Sequence, residues 1–128
     1  MFAITSLYAG LLALVLLTLT WRVIQGRHAH QVSLGDGGDK SMMRRVRAHG
    51  NAAETIPIGL ILLGLAEAQG APGIALHALG VCLLVGRVLH GLALSRPKPW
   101  PFGRIAGMGL TLLMLGVAAI GLVVHSIL

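Results

Sequence analysis

The chain has 128 residues, 55% hydrophobic and only 11% charged, with mean hydropathy +0.84 and a formal net charge of +6. A soluble domain carries roughly a quarter charged residues, so this composition excludes an ordinary soluble fold and points to a single membrane domain over residues 1–128. The cations cluster between apolar stretches rather than along a face with interleaved aromatics, which argues against nucleic acid as a partner and leaves membrane lipid as the surrounding medium.

Four apolar segments follow one another along the chain. The first, residues 2–24, has no charge before Arg22; it lacks a basic leader region and a small-x-small cleavage site, so it reads as a retained helix rather than a signal peptide. A polar connection from Gln25 to Ser41 contains Gly35-Asp36-Gly37-Gly38. The second segment, residues 42–68, opens polar and turns apolar from Thr55 to Ala66. A tight turn at Gln69-Gly70-Ala71-Pro72-Gly73 leads into the third, residues 74–94. A short connection stiffened by Pro97, Pro99 and Pro101 precedes the fourth, residues 102–127. Each segment reaches the about 20 residues that a helix needs to cross a bilayer, and strands of a membrane barrel would be about half as long and would alternate. The expected fold class is therefore all-α, an integral membrane four-helix bundle. Cys82 is the only cysteine and sits in an apolar run, so it reads as a small buried hydrophobe.

Basic residues set the orientation. Arg22, Arg27, Lys40, Arg44, Arg45 and Arg47 flank the first connection, Arg96, Lys98 and Arg104 flank the third, and the second has none. The positive-inside rule puts connections one and three in the cytoplasm and both termini outside, as expected for a multi-pass membrane protein. Trp21 and Trp100 then fall at the cytoplasmic interface.

Within this frame, Arg47, Asn51 and Glu54 stand at i, i+4 and i+7, on one face of the second helix. Arg87 and His90 come late in the third segment and Arg104 opens the fourth, at the same expected depth. Three arginines against one glutamate call for an anionic ligand, with two carboxylates for bidentate arginine pairing and an ammonium for Glu54. Anchoring readings stay open: Arg47 and Arg104 can snorkel to the interface, and Glu54 can bridge to Arg47 or Arg87 within the bundle. His28-x-His30 with Asp36 and Asp39 lacks a third ligand at firm spacing, so no metal is expected. Gly103-x-x-x-Gly107 allows a close helix contact, and Glu67 is expected to cap the outer end of the second helix.

Arg47-x-x-x-Asn51-x-x-Glu54-x-x-Pro57, Gly86-Arg87-Val88-x-His90 and an arginine opening the fourth helix resemble the MAPEG family, the membrane-associated proteins of eicosanoid and glutathione metabolism. The resemblance covers essentially the whole chain, and the Gly35-Asp36-Gly37-Gly38 and Gly107-Met108-x-x-Thr111 features look like a bacterial branch. It implies a homotrimer binding glutathione as co-substrate between subunits near the cytoplasmic face. It implies that Arg47, Asn51 and Glu54 hold the glutathione backbone and that Arg87 reaches a carboxylate or supports the site. Arg22 or Arg27 would complete it, and Arg104 would be the catalytic residue beside the sulfur, raising the thiolate fraction. The implied activity is a glutathione-dependent transferase or peroxidase acting on lipophilic electrophiles or hydroperoxides. Well-studied members carry tyrosines where this chain has Thr55 and Leu94, which gives the alternative of a non-catalytic lipid- or ligand-binding protein of the same fold. A small multidrug/proton antiporter, the remote alternative, needs a glutamate in the first helix, and residues 1–24 contain no acid.

Overall fold

The computed structural model describes residues 1–128 and contains four α-helices: α1 (Ala3–His30), α2 (Lys40–Ala68), α3 (Gly73–Ser95) and α4 (Pro101–Ile127). All four are long and apolar enough to cross a membrane. α2 and α3 touch each other and both outer helices, whereas α1 and α4 never meet, so the section through the bundle is a rhombus with α2 and α3 on its short diagonal. Only 26 of 128 residues are buried, which leaves ladders such as Leu7, Leu11 and Leu14 on α1 and Leu112, Leu113 and Ile120 on α4 facing outward, as lipid contact requires.

Helix ends follow local chemistry. α1 continues six residues past the expected end at Ile24, through a polar turn, and stops at Gln31 in the left-handed conformation, whose N–H groups and those of Val32 return to Arg27 and His28 carbonyls. Asp39 caps α2, its carboxylate accepting from the Met42 N–H at 2.7 Å. Pro101 occupies the first turn of α4, where its missing N–H costs nothing. Pro57 lies inside α2 and removes one backbone hydrogen bond there.

The two ends of the bundle are tied differently. At the basic end, Arg45 donates to the Arg22 carbonyl at 2.7 Å and Arg22 donates to the Ser95 carbonyl at 3.3 Å, so α1, α2 and α3 are joined beside the two connections that carry the cations. At the other end, Glu67 does not serve the outer end of α2 as expected. Its carboxylate accepts from the Ile4 N–H at 3.0 Å, the Thr5 N–H at 2.8 Å and the Thr5 hydroxyl at 2.6 Å, capping α1 instead. A carboxylate there satisfies orphan donors and complements the positive end of the α1 dipole. Nearby, Tyr8 packs on Gly80, donates to the His77 carbonyl at 3.2 Å and lies 3.0 Å from His77 Nδ1.

α3 and α4 form the most extensive pair because glycines let their backbones nearly touch. A Cβ on Gly107 would lie 2.6 Å from both the Gly86 carbonyl oxygen and the His90 nitrogen. Gly103, the other half of the small-residue pattern, instead makes room for the Trp100 ring. Gly107→Ala is therefore expected to lower the thermal midpoint in detergent, by an overpacking cost of about 1–3 kcal/mol. Gly109→Ala, where the added methyl meets nothing within 4 Å, should match or exceed the parent. Equal midpoints for the two variants would exclude the close crossing. Glu67→Ala should speed amide exchange at Ile4 and Thr5 ahead of the rest of α1; unchanged protection there would remove the interhelical cap.

Candidate functional site

At the basic end, α2, α3 and the start of α4 enclose a cleft of about 170 Å³ lined by Met43, Arg44, Arg47, Asn51, His90, Leu94 and Arg104. Three of these side chains are arginines and none is a carboxylate. A larger apolar slot of about 640 Å³ adjoins it, sharing Met43, Arg44, Leu94 and Arg104 and adding Pro99, Trp100, Pro101 and Ile105. A polar compartment and a lipophilic one thus meet at Arg44 and Arg104. Arg104 lies in the first turn of α4, which has no side-chain cap, so the positive end of that helix points toward the same place.

The helical geometry of α2 sorts its three polar residues. At 3.6 residues per turn, Asn51 is rotated about 40° from Arg47 in one sense and Glu54 about 20° in the other. That difference turns Asn51 toward the bundle and leaves Glu54 outside. Arg47 Nη1 lies 3.9 Å from Glu54 Oε1, and both side chains are well exposed (58% and 64%), so one subunit alone gives this pair little strength. Glu54 is not part of the cleft wall.

Arg87 is deeper than the cleft and only 1% exposed. Its Nε donates to Thr111 Oγ1 at 2.9 Å, Nη1 donates to Asn51 Oδ1, and Nη2 reaches the Gly107 carbonyl at 3.4 Å and Met108 Sδ at 3.6 Å. The guanidinium is surrounded by neutral dipoles contributed by α2 and α4, with no carboxylate among its partners. All the hydrogen bonds of this guanidinium go to groups of the protein itself. Sequence reasoning missed Thr111 as its partner; the signal was present in the hydroxyl one turn beyond Gly107, opposite Gly86-Arg87.

The remaining expected residues lie elsewhere. Arg22 lines a second cavity, between α1 and α3, with Arg87, Val88 and Ser95. Arg27 donates to the Gly35 carbonyl at 3.3 Å and borders an open surface cleft with His28 and Gln31. Within one subunit neither meets Arg47 or Arg104. Thr55 is buried, and its hydroxyl donates to the Asn51 carbonyl at 2.8 Å, so it offers nothing to the cleft. Leu94 does face the cleft, with an apolar surface.

Comparison with known proteins bears on what this arrangement belongs to. Over 87 residues the chain is 39% identical to the inner membrane protein YecN of Escherichia coli strain K12, and equally to YecN of Escherichia coli O6:H1 strain CFT073. The aligned stretch covers 68% of this chain and 66% of each relative, just under two thirds of their length. Together with the four membrane-length helices, this similarity supports a multi-pass protein of a bacterial inner membrane. The family model of the MAPEG family matches residues 5–124, which carry all four helices almost entire and every residue of the cleft; the chain belongs to the MAPEG family.

Proposed function

We propose that the chain binds glutathione in the Arg44–Arg47–Asn51–Arg104 cleft, as a homotrimer, and presents its thiolate to lipophilic electrophiles or hydroperoxides taken from the bilayer. The observation that carries this reading is a cleft with three arginines and no acid, open to an apolar slot. Glutathione supplies two carboxylates for the arginines, an ammonium for Glu54 and a thiol for the region of Arg104. The Arg104 guanidinium and the uncapped start of α4 both stabilise a thiolate over a thiol. The thiolate then attacks an electrophilic carbon; a C–S bond forms as the leaving group departs with the bonding pair.

Depth and exposure support the homotrimer. Glu54 lies 14 residues before the end of α2 at Ala68, about 21 Å at 1.5 Å per residue. With the α2–α3 turn at the outer boundary, that places the exposed Arg47–Glu54 pair against or within the roughly 30 Å hydrocarbon core, where uncovered charge is costly. A neighbouring copy and a bound zwitterionic ligand would cover it. Arg22 and Arg27, which border other cavities of their own subunit, would join this site from a neighbouring copy.

A second reading, binding without turnover, is favoured by one observation. The wall at Leu94 is apolar and the Thr55 hydroxyl is committed to the Asn51 carbonyl, so no hydroxyl lines the cleft.

Arg47→Ala and Glu54→Ala are each expected to weaken glutathione binding about tenfold or more, the loss of one charge-assisted contact. Equilibrium titration of purified protein measures this, and parent-like affinity in both variants would reject the assignment of the site. Arg104→Ala should reduce thiolate formation, read as ultraviolet absorbance on adding glutathione, more than it reduces binding. Equal losses would make Arg104 an anchor, and no thiolate signal in the parent, with binding intact, would favour the non-catalytic reading.

A further inference from the structure

Resting on the cleft as a ligand site, we propose that Arg87 and Thr111 are positioning residues that hold the Asn51 amide with its NH2 toward the cleft, making this position selective for a hydrogen-bond acceptor on the ligand. Arginine can only donate, so the Asn51 atom that meets Arg87 Nη1 is the carbonyl oxygen, and the amide nitrogen is left facing the other way.

Arg87 is in turn oriented by Thr111. The Thr111 hydroxyl donates to the Gly107 carbonyl at 2.9 Å, one turn back along α4, which leaves its lone pairs to accept from Arg87 Nε at 2.9 Å. Thr111 is fully buried, and the glycine contact between Gly86 and Gly107 sets the α3–α4 distance that this hydrogen bond spans. The chain of bonds therefore runs from an α4 carbonyl through a hydroxyl and a guanidinium to an α2 amide. At the cleft it presents an NH2 beside the donors Arg44, Arg47 and Arg104, with His90 completing the polar lining. The ligand group at Asn51 must then be an acceptor, a carboxylate or a peptide carbonyl; an ammonium is refused there and is left to Glu54.

Asn51 is the only asparagine in the chain, so asparagine-selective 15N labelling gives one side-chain amide pair in the NMR spectrum of the full-length protein in nanodiscs. Before any ligand is added, that pair should lie away from free-amide positions. Thr111→Val, nearly isosteric, should move it toward them, and Thr111→Ser should restore it. A Thr111→Val amide pair identical to the parent's would overturn the proposal, as would free-amide positions in the parent. Glutathione should then shift the parent pair, and Asn51→Asp, which keeps an acceptor for Arg87 but turns an acceptor toward the cleft, should lose glutathione affinity at least tenfold while retaining the parent's thermal midpoint. An Asn51→Asp variant that binds as tightly as the parent would overturn the selectivity claim. An amide pair that responds to Thr111→Val and Thr111→Ser yet ignores glutathione supports the positioning relay and counts against glutathione as the ligand.

Discussion

Arg87 is a full positive charge buried where three helices meet, and nothing acidic lies beside it. Its guanidinium donates only to neutral groups, and that demand organises its surroundings: a hydroxyl at Thr111, a carbonyl at Gly107, an amide at Asn51 and the sulfur of Met108. An isolated buried ion is costly unless its hydrogen bonds are complete. Completing them needs α4 close to α3, which the Gly86–Gly107 contact permits, and α2 in the azimuth that turns Asn51 inward. The cleft above is what remains once those three helices are set, and its walls inherit the relay's polarity.

Two compartments of opposite character share a boundary at Arg44 and Arg104. The polar one suits a small hydrophilic anion from the cytoplasm, and the apolar one, with Trp100 and Ile105, suits a molecule dissolved in lipid. Under the proposed function this boundary is where a water-soluble thiol and a lipophilic partner would meet, beside the uncapped start of α4 and Arg104.

Much of this was legible in the sequence, though unevenly. The four helix bodies follow from apolar runs, since a bilayer imposes length and composition together. The end of α1 was not legible in the same way: Gln25, Arg27 and His28 are outside the apolar run yet still helical, because the backbone hydrogen-bonding pattern does not stop where hydropathy falls. The i, i+4, i+7 spacing identified the polar face of α2, but not that about 60° of rotation separates an inward Asn51 from an outward Glu54. Arg87 and Arg104 look alike as late and early arginines of adjacent helices; only the packing distinguishes a buried strut from a cleft wall. Glu67 carried no local clue to its partner, because the donors it serves lie 62 and 63 positions away.

That long-range cap ties depth to the order in which the chain settles. The amide donors of Ile4 and Thr5 find their carboxylate only when residue 67 has reached the same side of the membrane, after α2 has traversed it. Once made, the three bonds fix the start of α1 at the height of the α2 end. α1 and α2 thus reach their final register as a hairpin, with the latch on the side opposite the basic connection that joins them.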